Sequence, residues 1–154
     1  MGEPTFVSSV HYRDPKAALA FLTRAFGFEV TMAIEGPDGD PSQCHFELAI
    51  EGCGRLMVGG EWDARVRSPA SLDGANTQSV HVTLSGGLDD HCAQARAAGA
   101  VIDAEPADQF YGDRTYRAVD LEGHRWNFSE HTRDVTRAEA ERAIGTPIVA
   151  PGWA

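Results

Sequence analysis

The chain of 154 residues is predicted to adopt an α+β fold, in which two βαβββ modules with eight strands form curved sheets around a ligand cavity and a short C-terminal helix follows. Two internal repeats predict this arrangement. The segment Ser9–Tyr12 recurs 70 residues later as Ser79–Val82, and each copy precedes a helix pattern that ends at a glycine. The segment Ile50–Met57 aligns with Val119–Trp126 at an offset of 69 residues. Solenoid repeats are about 20 to 50 residues long, so this longer repeat indicates a paired module.

The first helix has clear start and stop signals. Asp14 is its predicted N-cap, Pro15 takes the first helical position and Gly27 follows the last turn. Leu19 and Leu22 recur at helical spacing. They give the helix an apolar face, which we expect to pack on a sheet.

Two further helices are predicted. The second spans about residues 89–98, where the acidic pair at its start acts as the cap and Gly99 ends it. A capping box at Thr136–Glu139 opens the third helix, which stops at Gly145.

The strands are predicted from alternating polar and apolar residues. A single domain over 1–154 is expected, and the long joint between its halves has the composition of a surface linker. The predicted strands are 5–12, 28–35, 43–51, 55–60, 79–85, 100–104, 114–120 and 124–131. The predicted organisation is a first module at 5–61, a linker at 62–78, a second module at 79–131, and a C-terminal helix and tail at 132–154.

Composition excludes several classes of partner. The formal net charge of −10 repels phosphate backbones and anionic lipid surfaces, so neither nucleic acid nor a membrane is expected as a partner. No apolar run is long enough to span a bilayer, and the N-terminus lacks the features of a signal peptide, so a cytoplasmic protein is expected. The three cysteines lack C-x-x-C spacing, which predicts neither a disulfide framework nor a zinc cluster.

Strand parity predicts which side chains face a cavity, because alternate residues of a strand point to opposite sides of a sheet. In the first copy of the repeat, Ser9 and His11 share one face. In the second copy, Ser79, His81 and Thr83 share the equivalent face. We expect these polar faces to line the cavity and the opposite faces to pack on the helices.

Two motifs resemble those of a known family. Tyr111–Arg114 reads Y-G-D-R and Asp120–Trp126 reads D-L-E-G-H-R-W, and together with the duplicated module they resemble the vicinal oxygen chelate superfamily, in its bacterial glyoxalase-like and bleomycin-resistance branch. The superfamily includes glyoxalase I, extradiol dioxygenases and bleomycin-resistance proteins. The resemblance implies two modules that enclose a ligand cavity, and we expect a homodimer. Fold alone does not define activity.

The resemblance also implies where a divalent metal would bind, namely on the first and last strands of each module. It places those four positions at Val7, Val58, His81 and Asn127. Valine has no donor atom, and the amide of asparagine is a poor ligand compared with imidazole or carboxylate. Only His81 can ligate, whereas a catalytic ion needs about three protein ligands. No metal is therefore expected.

One arrangement would restore a metal site. His11 and His81 occupy equivalent places in the repeat, and Glu47 or His45 on a neighbouring strand could join them. The competing interpretation is that both histidines are polar lining that hydrogen-bonds to serines or to a ligand.

Three other polar residues are assigned structural roles. His91 is expected on a helix surface and His124 in a turn. Arg114 is expected to form an ion pair with Asp113 or Asp120, and the alternative is that it pairs with an anionic group of a ligand. Trp126 is expected to face the helices and to belong to the core.

The predicted ligand surface combines polar groups with aromatic walls, which is typical of a site for a small aromatic or amphipathic molecule. We predict a metal-free protein that sequesters such a molecule, and we assign no catalytic residue. The alternatives are a divalent-metal-dependent lyase, isomerase or dioxygenase, and a metal-independent enzyme with the two repeat histidines as an acid/base pair. The predicted ligand-binding residues are Ser9, His11, Phe46, Trp62, His81, Thr83, Tyr111 and Asn127.

Overall fold

The computed structural model describes residues 6–52 and 54–153. It contains two βαβββ units followed by a third helix, as the repeats predict. In chain order the elements are β1 Ser8–Tyr12, α1 Pro15–Phe26, β2 Glu29–Ile34, β3 His45–Ile50, β4 Gly54–Gly60, β5 Ser79–Leu84, α2 Leu88–Ala97, β6 Val101–Asp108, β7 Asp113–Val119, β8 Arg125–His131 and α3 Arg137–Ile144.

The strands form two four-stranded sheets with the same topology. Their orders are β1-β4-β3-β2 and β5-β8-β7-β6, and the two sheets do not close into a barrel. In each sheet the first strand pairs in parallel with the last, and the other neighbours are antiparallel. This result confirms the predicted fold class of paired βαβββ modules.

The strand β6 is longer than predicted, because it continues to Asp108 rather than ending near residue 104. It lies at the edge of its sheet, and its pairing with β7 shifts register on both sides of Ala104. An edge strand tolerates Pro106, since the missing N–H need not pair with a second neighbour.

The helix α1 begins and ends at the predicted residues. The Asp14 carboxylate accepts a hydrogen bond from the backbone N–H of Ala17 at 3.0 Å, and Pro15 is the first helical residue. Gly27 ends the helix in the left-handed conformation at φ 73°, which glycine adopts without a steric penalty. Both signals read from the sequence are confirmed.

The helix α2 is capped differently from the prediction. Its N-cap is Gly87, and no side chain of the acidic pair caps it. Instead, the Glu130 carboxylate on β8 accepts a hydrogen bond from the backbone N–H of Leu88 at 2.8 Å. Asp89 lies in the first turn and pairs with Arg114 on β7. The cap therefore comes from a strand about forty residues away, which local sequence cannot reveal.

The core joins the two modules through aromatic side chains. Phe26 at the end of α1 lies 5.2 Å from Trp126 and 4.9 Å from Phe128 between ring centroids, and all three are buried. His91 on α2 fills the space beside them. Its ring lies 4.6 Å from that of Phe128, its Nδ1 lies 2.6 Å from the Tyr116 hydroxyl, and its Nε2 lies 3.1 Å from the Phe26 carbonyl oxygen. The prediction of a surface residue at His91 is therefore wrong.

Buried carboxylates in the turn between β7 and β8 also hold the modules together. Asp120 accepts hydrogen bonds from the Tyr12 hydroxyl at 2.6 Å and from the Trp126 indole N–H at 3.0 Å. Burial, together with the Asp120 carboxylate, raises the pKa of Tyr12 well above its ordinary value. The phenol therefore stays protonated and donates to Asp120 across the junction.

Glu122 makes a second set of contacts across the junction. Its two oxygens accept hydrogen bonds from the backbone N–H groups of Arg13 and Asp14 at 2.8 and 2.9 Å. The Ser68 hydroxyl donates to Glu122 at 2.5 Å. Ser68 is fully buried, so this part of the segment expected to be a surface linker is anchored inside the protein.

His124 completes the junction and is not a simple turn residue. It is buried, and its Nε2–H donates to the backbone carbonyl of His11 at 2.7 Å. Its ring lies 4.6 Å from that of Tyr12, and its Nδ1 has no hydrogen-bond partner among the described residues. The D-L-E-G-H-R-W motif thus connects the modules through Asp120, Glu122 and His124.

Arg114 forms the expected kind of ion pair with different partners. Its guanidinium contacts Asp89 at 2.7 Å and Asp108 at 2.9 Å, rather than Asp113 or Asp120.

The C-terminal helix α3 has the predicted capping box between Thr136 and Glu139. In the part of the chain that the structure describes, no helix has the length and apolar content needed to cross a bilayer.

We predict that Glu122→Gln destabilises the protein by about 2 kcal/mol, because a charged acceptor is replaced at a site with three donors. One of the two oxygens becomes an NH₂ group that faces a donor. The free energy of unfolding in urea measures this loss. Glu29→Gln, at an exposed position on β2, is the matched control and should change stability by less than about 0.5 kcal/mol. Equal stability of the two variants would contradict the role of Glu122.

We predict a loss of stability on acidification that depends on His91. Burial lowers the pKa of His91 below its ordinary value. The unfolded chain therefore binds a proton at a higher pH than the folded protein does, and stability falls as the pH drops below about 6.5. Melting temperatures at pH 8 and pH 5.5 measure the effect, which should be smaller in His91→Gln. An unchanged pH dependence in that variant would contradict the assignment.

Candidate functional site

Each sheet has an open face, which we define as the side turned away from its helix. The second open face, on β5, β8 and β7, consists largely of polar side chains. Register pairing arranges them in rows across the three strands. Starting from the β7–β8 turn, the three rows are Ser79-Arg125-Val119, His81-Asn127-Arg117 and Thr83-Ser129-Thr115.

His81 lies in the middle row and contacts its neighbours through one nitrogen. Its Nε2 lies 3.3 Å from the Ser79 hydroxyl and 3.4 Å from the Asn127 Nδ2. The amide NH₂ is a donor, so in neutral His81 the Nε2 accepts and the Nδ1 carries the proton. This arrangement leaves the Nδ1–H free to donate to a bound molecule. Thr83 lies one row further along, with its hydroxyl 3.3 Å from that of Ser129.

The first open face, on β1, β4 and β3, has a different chemistry. Starting from the β3–β4 turn, its rows are Val7-Arg55-Ala49, Ser9-Met57-Glu47 and His11-Gly59-His45, where Val7 immediately precedes β1. Met32 and Ile34 on β2 extend the second and third rows. Two thioethers and an aliphatic chain thus lie beside one carboxylate, which makes this face more apolar than the other.

The His11 side chain on β1 is fixed by two hydrogen bonds beside the end of β4. Its Nδ1–H donates to the Gly60 carbonyl at 3.1 Å, and its Nε2 accepts from the Ser9 hydroxyl at 3.1 Å. A Cβ on Gly59 would lie 3.2 Å from the Nδ1, so the ring rests directly over the glycine backbone. On the neighbouring strand, His45 and Glu47 form their own contact at 3.3 Å.

The two repeat histidines are not structurally equivalent. Counted from the corresponding turns, His81 lies in the second row of its sheet and His11 in the third row of the other. The counterpart of His81 is Ser9, and that of Asn127 is Met57. The β7–β8 turn and the end of β5 are longer than their counterparts, so one constant offset does not align every strand.

Val58 also does not lie where the constant repeat offset predicts it, on the open face beside a metal position. It is fully buried on the helix-facing side of β4, one residue away from the open face. Val7 lies at the start of β1 and has no donor atom.

The available donors do not fit the divalent ion that the resemblance implies. His81 is the one strong ligand in its row, and its neighbours there are a neutral amide and the guanidinium of Arg117. A fixed cation in the same row opposes the binding of another. Within residues 6–52 and 54–153, no three His, Cys, Asp or Glu side chains lie together in a group able to hold a metal ion. The proposed set of His11, His81 and Glu47 or His45 is not assembled in this chain.

Two depressions flank His81. The first, which we call the module groove, runs between the edge strands β1 and β5 and has a volume of about 350 Å³. Its walls are mainly apolar and include Phe6, Val7, Phe28 and Val82. Glu51 and Arg55 supply its charged groups, one of each sign.

The second depression, which we call the polar cleft, has a volume of about 510 Å³ and lies over the second open face. It is lined by Asn76, Ser79, Arg117, Arg125 and Asn127. His81 lines both depressions, so it stands where the apolar and polar regions meet.

Three aromatic residues of the predicted ligand surface lie elsewhere. Phe46 is 1% exposed and packs in the core, so its ring does not reach either depression. Trp62 follows β4 and is 63% exposed, and Tyr111 lies half-exposed against Phe110 in the β6–β7 connection. Neither Trp62 nor Tyr111 lines the module groove or the polar cleft. Trp126 is fully buried, as predicted.

Sequence reasoning missed Arg117 and Arg125. Arg117 lies on β7 two residues after Thr115, and Arg125 lies on β8 two residues before Asn127. The alternation of the strands therefore already places both arginines on the open face. The apolar groove residues Phe6 and Phe28 were also missed, because the groove that they line forms where the two modules meet.

Comparison with known proteins now identifies relatives of this chain. The model of the glyoxalase/bleomycin resistance protein/dioxygenase superfamily matches residues 9–128. An uncharacterized protein of Mycobacterium tuberculosis is 28% identical over 151 residues, which cover 94% of this chain and 84% of the relative.

Solved structures share the fold. TioX from Micromonospora sp. ML1 is 30% identical, with a TM-score of 0.65, and the match covers 83% of this chain and 98% of TioX. TnmS3, an antibiotic binding protein from Streptomyces sp. CB03234, is 19% identical with a TM-score of 0.63, over 82% of this chain and 93% of TnmS3.

Proposed function

Because the chain belongs to the glyoxalase/bleomycin resistance protein/dioxygenase superfamily, we propose that it binds and sequesters a small aromatic or amphipathic molecule without a metal ion. The composition of the row that holds His81 carries this proposal. That row offers hydrogen-bond donors and a cation, which suit an organic ligand better than a divalent metal.

The module groove is the proposed seat of the apolar part of the ligand. Its volume of about 350 Å³ lies within the range of small-molecule sites, and its walls combine aliphatic and aromatic side chains with a few polar groups. The edge strands β1 and β5 border it, so their unpaired backbone groups are available to polar atoms of a ligand.

The polar part of the ligand is proposed to contact the open faces. His81, Thr83 and Asn127 lie on one face, and Ser9 and His11 on the other. TnmS3, which has the same fold, is an antibiotic binding protein, and this supports a binding function for the present chain. We propose no chemical step, because the donor set near His81 does not fit a catalytic ion.

We expect a neutral planar aromatic probe, 2-naphthamide, to bind in the module groove with one molecule per chain. Isothermal titration calorimetry measures this binding, and EDTA should leave it unchanged. Thr83→Trp fills the groove and should abolish binding. Thr23→Trp places the same ring on an exposed residue of α1, outside both depressions, and is the matched control.

Two outcomes would contradict the proposed function. The first is that wild-type protein binds no 2-naphthamide at millimolar concentration. The second is that titration with nickel, zinc, manganese or iron(II) gives near-stoichiometric uptake of one ion and that aromatic binding requires it. Stoichiometric uptake would favour a metal-dependent lyase, isomerase or dioxygenase.

We also propose that the functional unit is a homodimer. The edge strand β2 is exposed along its whole length, and its apolar side chains Val30, Met32 and Ile34 remain about half exposed. Unpaired apolar edge strands favour association. A second copy that covers β2 would also enclose the first open face.

Light scattering at micromolar concentration should therefore give the mass of two chains. Ile34→Lys places a charge on the exposed edge and should shift the protein towards the monomer. Val149→Lys, at a fully exposed position near the C-terminus, is the control and should remain dimeric. A monomeric wild-type protein would contradict the proposal.

A further inference from the structure

The polar cleft has an excess of hydrogen-bond donors over acceptors. Its charged lining residues are Arg117 and Arg125, and the nearest carboxylate to both is Asp103 on β6. Two guanidinium groups facing one carboxylate leave a local charge of +1. This local charge contrasts with the net charge of −10 on the whole chain.

The two arginines are not equally engaged. Arg125 donates to Asp103, and about half of its side chain remains exposed. Arg117 approaches the same carboxylate only to 3.9 Å, which is beyond hydrogen-bond distance, and it makes no side-chain hydrogen bond within the described residues. Its donors therefore face the cleft and are free to bind an anion in the planar, bidentate geometry that guanidinium favours.

A third donor in the cleft is also unpaired. Asn76 lines the cleft, and its buried Nδ2 has no acceptor among the described residues. A buried donor without a partner is unfavourable, and an oxygen atom of a ligand would satisfy it. The Ser79 hydroxyl and the Asn127 amide, which contact the His81 ring, add neutral donors to the same wall.

The position of His81 connects this cleft with the module groove, because its side chain lines both. Arg117, Asn127 and His81 form one row, and strands in a sheet are about 4.8 Å apart. The backbone of Arg117 therefore lies roughly two strand spacings from that of His81, at the entrance of the groove. A bicyclic aromatic molecule with one acidic substituent has suitable dimensions to reach from the groove towards the cleft.

We infer that the ligand of this protein is an aromatic acid whose carboxylate or similar oxyanion binds at Arg117 and Arg125 while its apolar body occupies the module groove. This inference rests on the proposed function and specifies the chemical class of its ligand. Arg117 and Arg125 then determine specificity for the anion, and His81 donates through its Nδ1–H at the junction between the two regions.

The test compares 2-naphthoate with its neutral analogue 2-naphthamide by isothermal titration calorimetry at pH 7.5. Wild-type protein should bind the acid at least about tenfold more tightly, as expected for a charge-assisted hydrogen bond. Arg117→Gln and Arg125→Gln should each reduce this preference to less than threefold and leave the affinity for the amide unchanged. Arg117→Lys retains the charge but not the planar fork, and should give an intermediate preference.

Arg142→Gln on α3 removes an arginine outside both depressions and is the matched control, so it should retain the full preference. Equal affinity of wild-type protein for acid and amide would overturn the inference and leave the proposed function standing. A preference that persists in both glutamine variants would also overturn it. Failure of both probes to bind would overturn the proposed function and this inference together.

Discussion

The relative position of the two modules depends on two carboxylates that are buried at their junction. Asp120 and Glu122 belong to the second module, yet their partners include Tyr12, Arg13 and Asp14 of the first. A buried carboxylate is stable only when its oxygens accept hydrogen bonds. Here the donors are specific backbone and side-chain groups of the two modules and of the segment between them. Separation of the modules would remove the Tyr12 donor from Asp120 and the Arg13 and Asp14 donors from Glu122. The aromatic core around Phe26 adds a large buried area, and the directional polar contacts across the junction specify the orientation of the modules.

This fixed junction defines the space in which a ligand binds. It places the edge strands β1 and β5 side by side, and their separation forms the module groove. The duplicated fold has also diverged in chemistry. One open face carries Met57 and Glu47, whereas the other carries Asn127 and Arg117 at the corresponding positions. The two depressions beside His81 differ in the same way, because the module groove is mainly apolar and the polar cleft is lined by hydrogen-bonding side chains.

Much of the fold follows from local sequence signals. The caps of α1 and α3, the parity of β1 and β5, and the duplication of the modules are all encoded within a few residues. The structural features that the sequence did not predict depend on contacts between residues that are far apart in the chain. The cap of α2 comes from Glu130, and His91 is half-buried because it contacts Phe26 and Tyr116. A constant repeat offset also misplaced Val58 by one residue, and in a strand one residue exchanges the two faces. The polar side of the candidate site was predictable from alternation, but the apolar groove was not, because it forms where two modules meet.

The hydrogen bond from His124 to the His11 carbonyl has a further consequence. The acceptor belongs to the backbone of β1, which borders the module groove, and the donor belongs to the buried junction. Because β1 takes part in both, we expect a molecule bound in the groove to stabilise the junction as well. By mass action, any molecule that binds only the folded form protects it, and here the protection should be greatest for hydrogen exchange of the amides at the junction. The motif thus connects the strand that borders the groove with the buried junction between the modules.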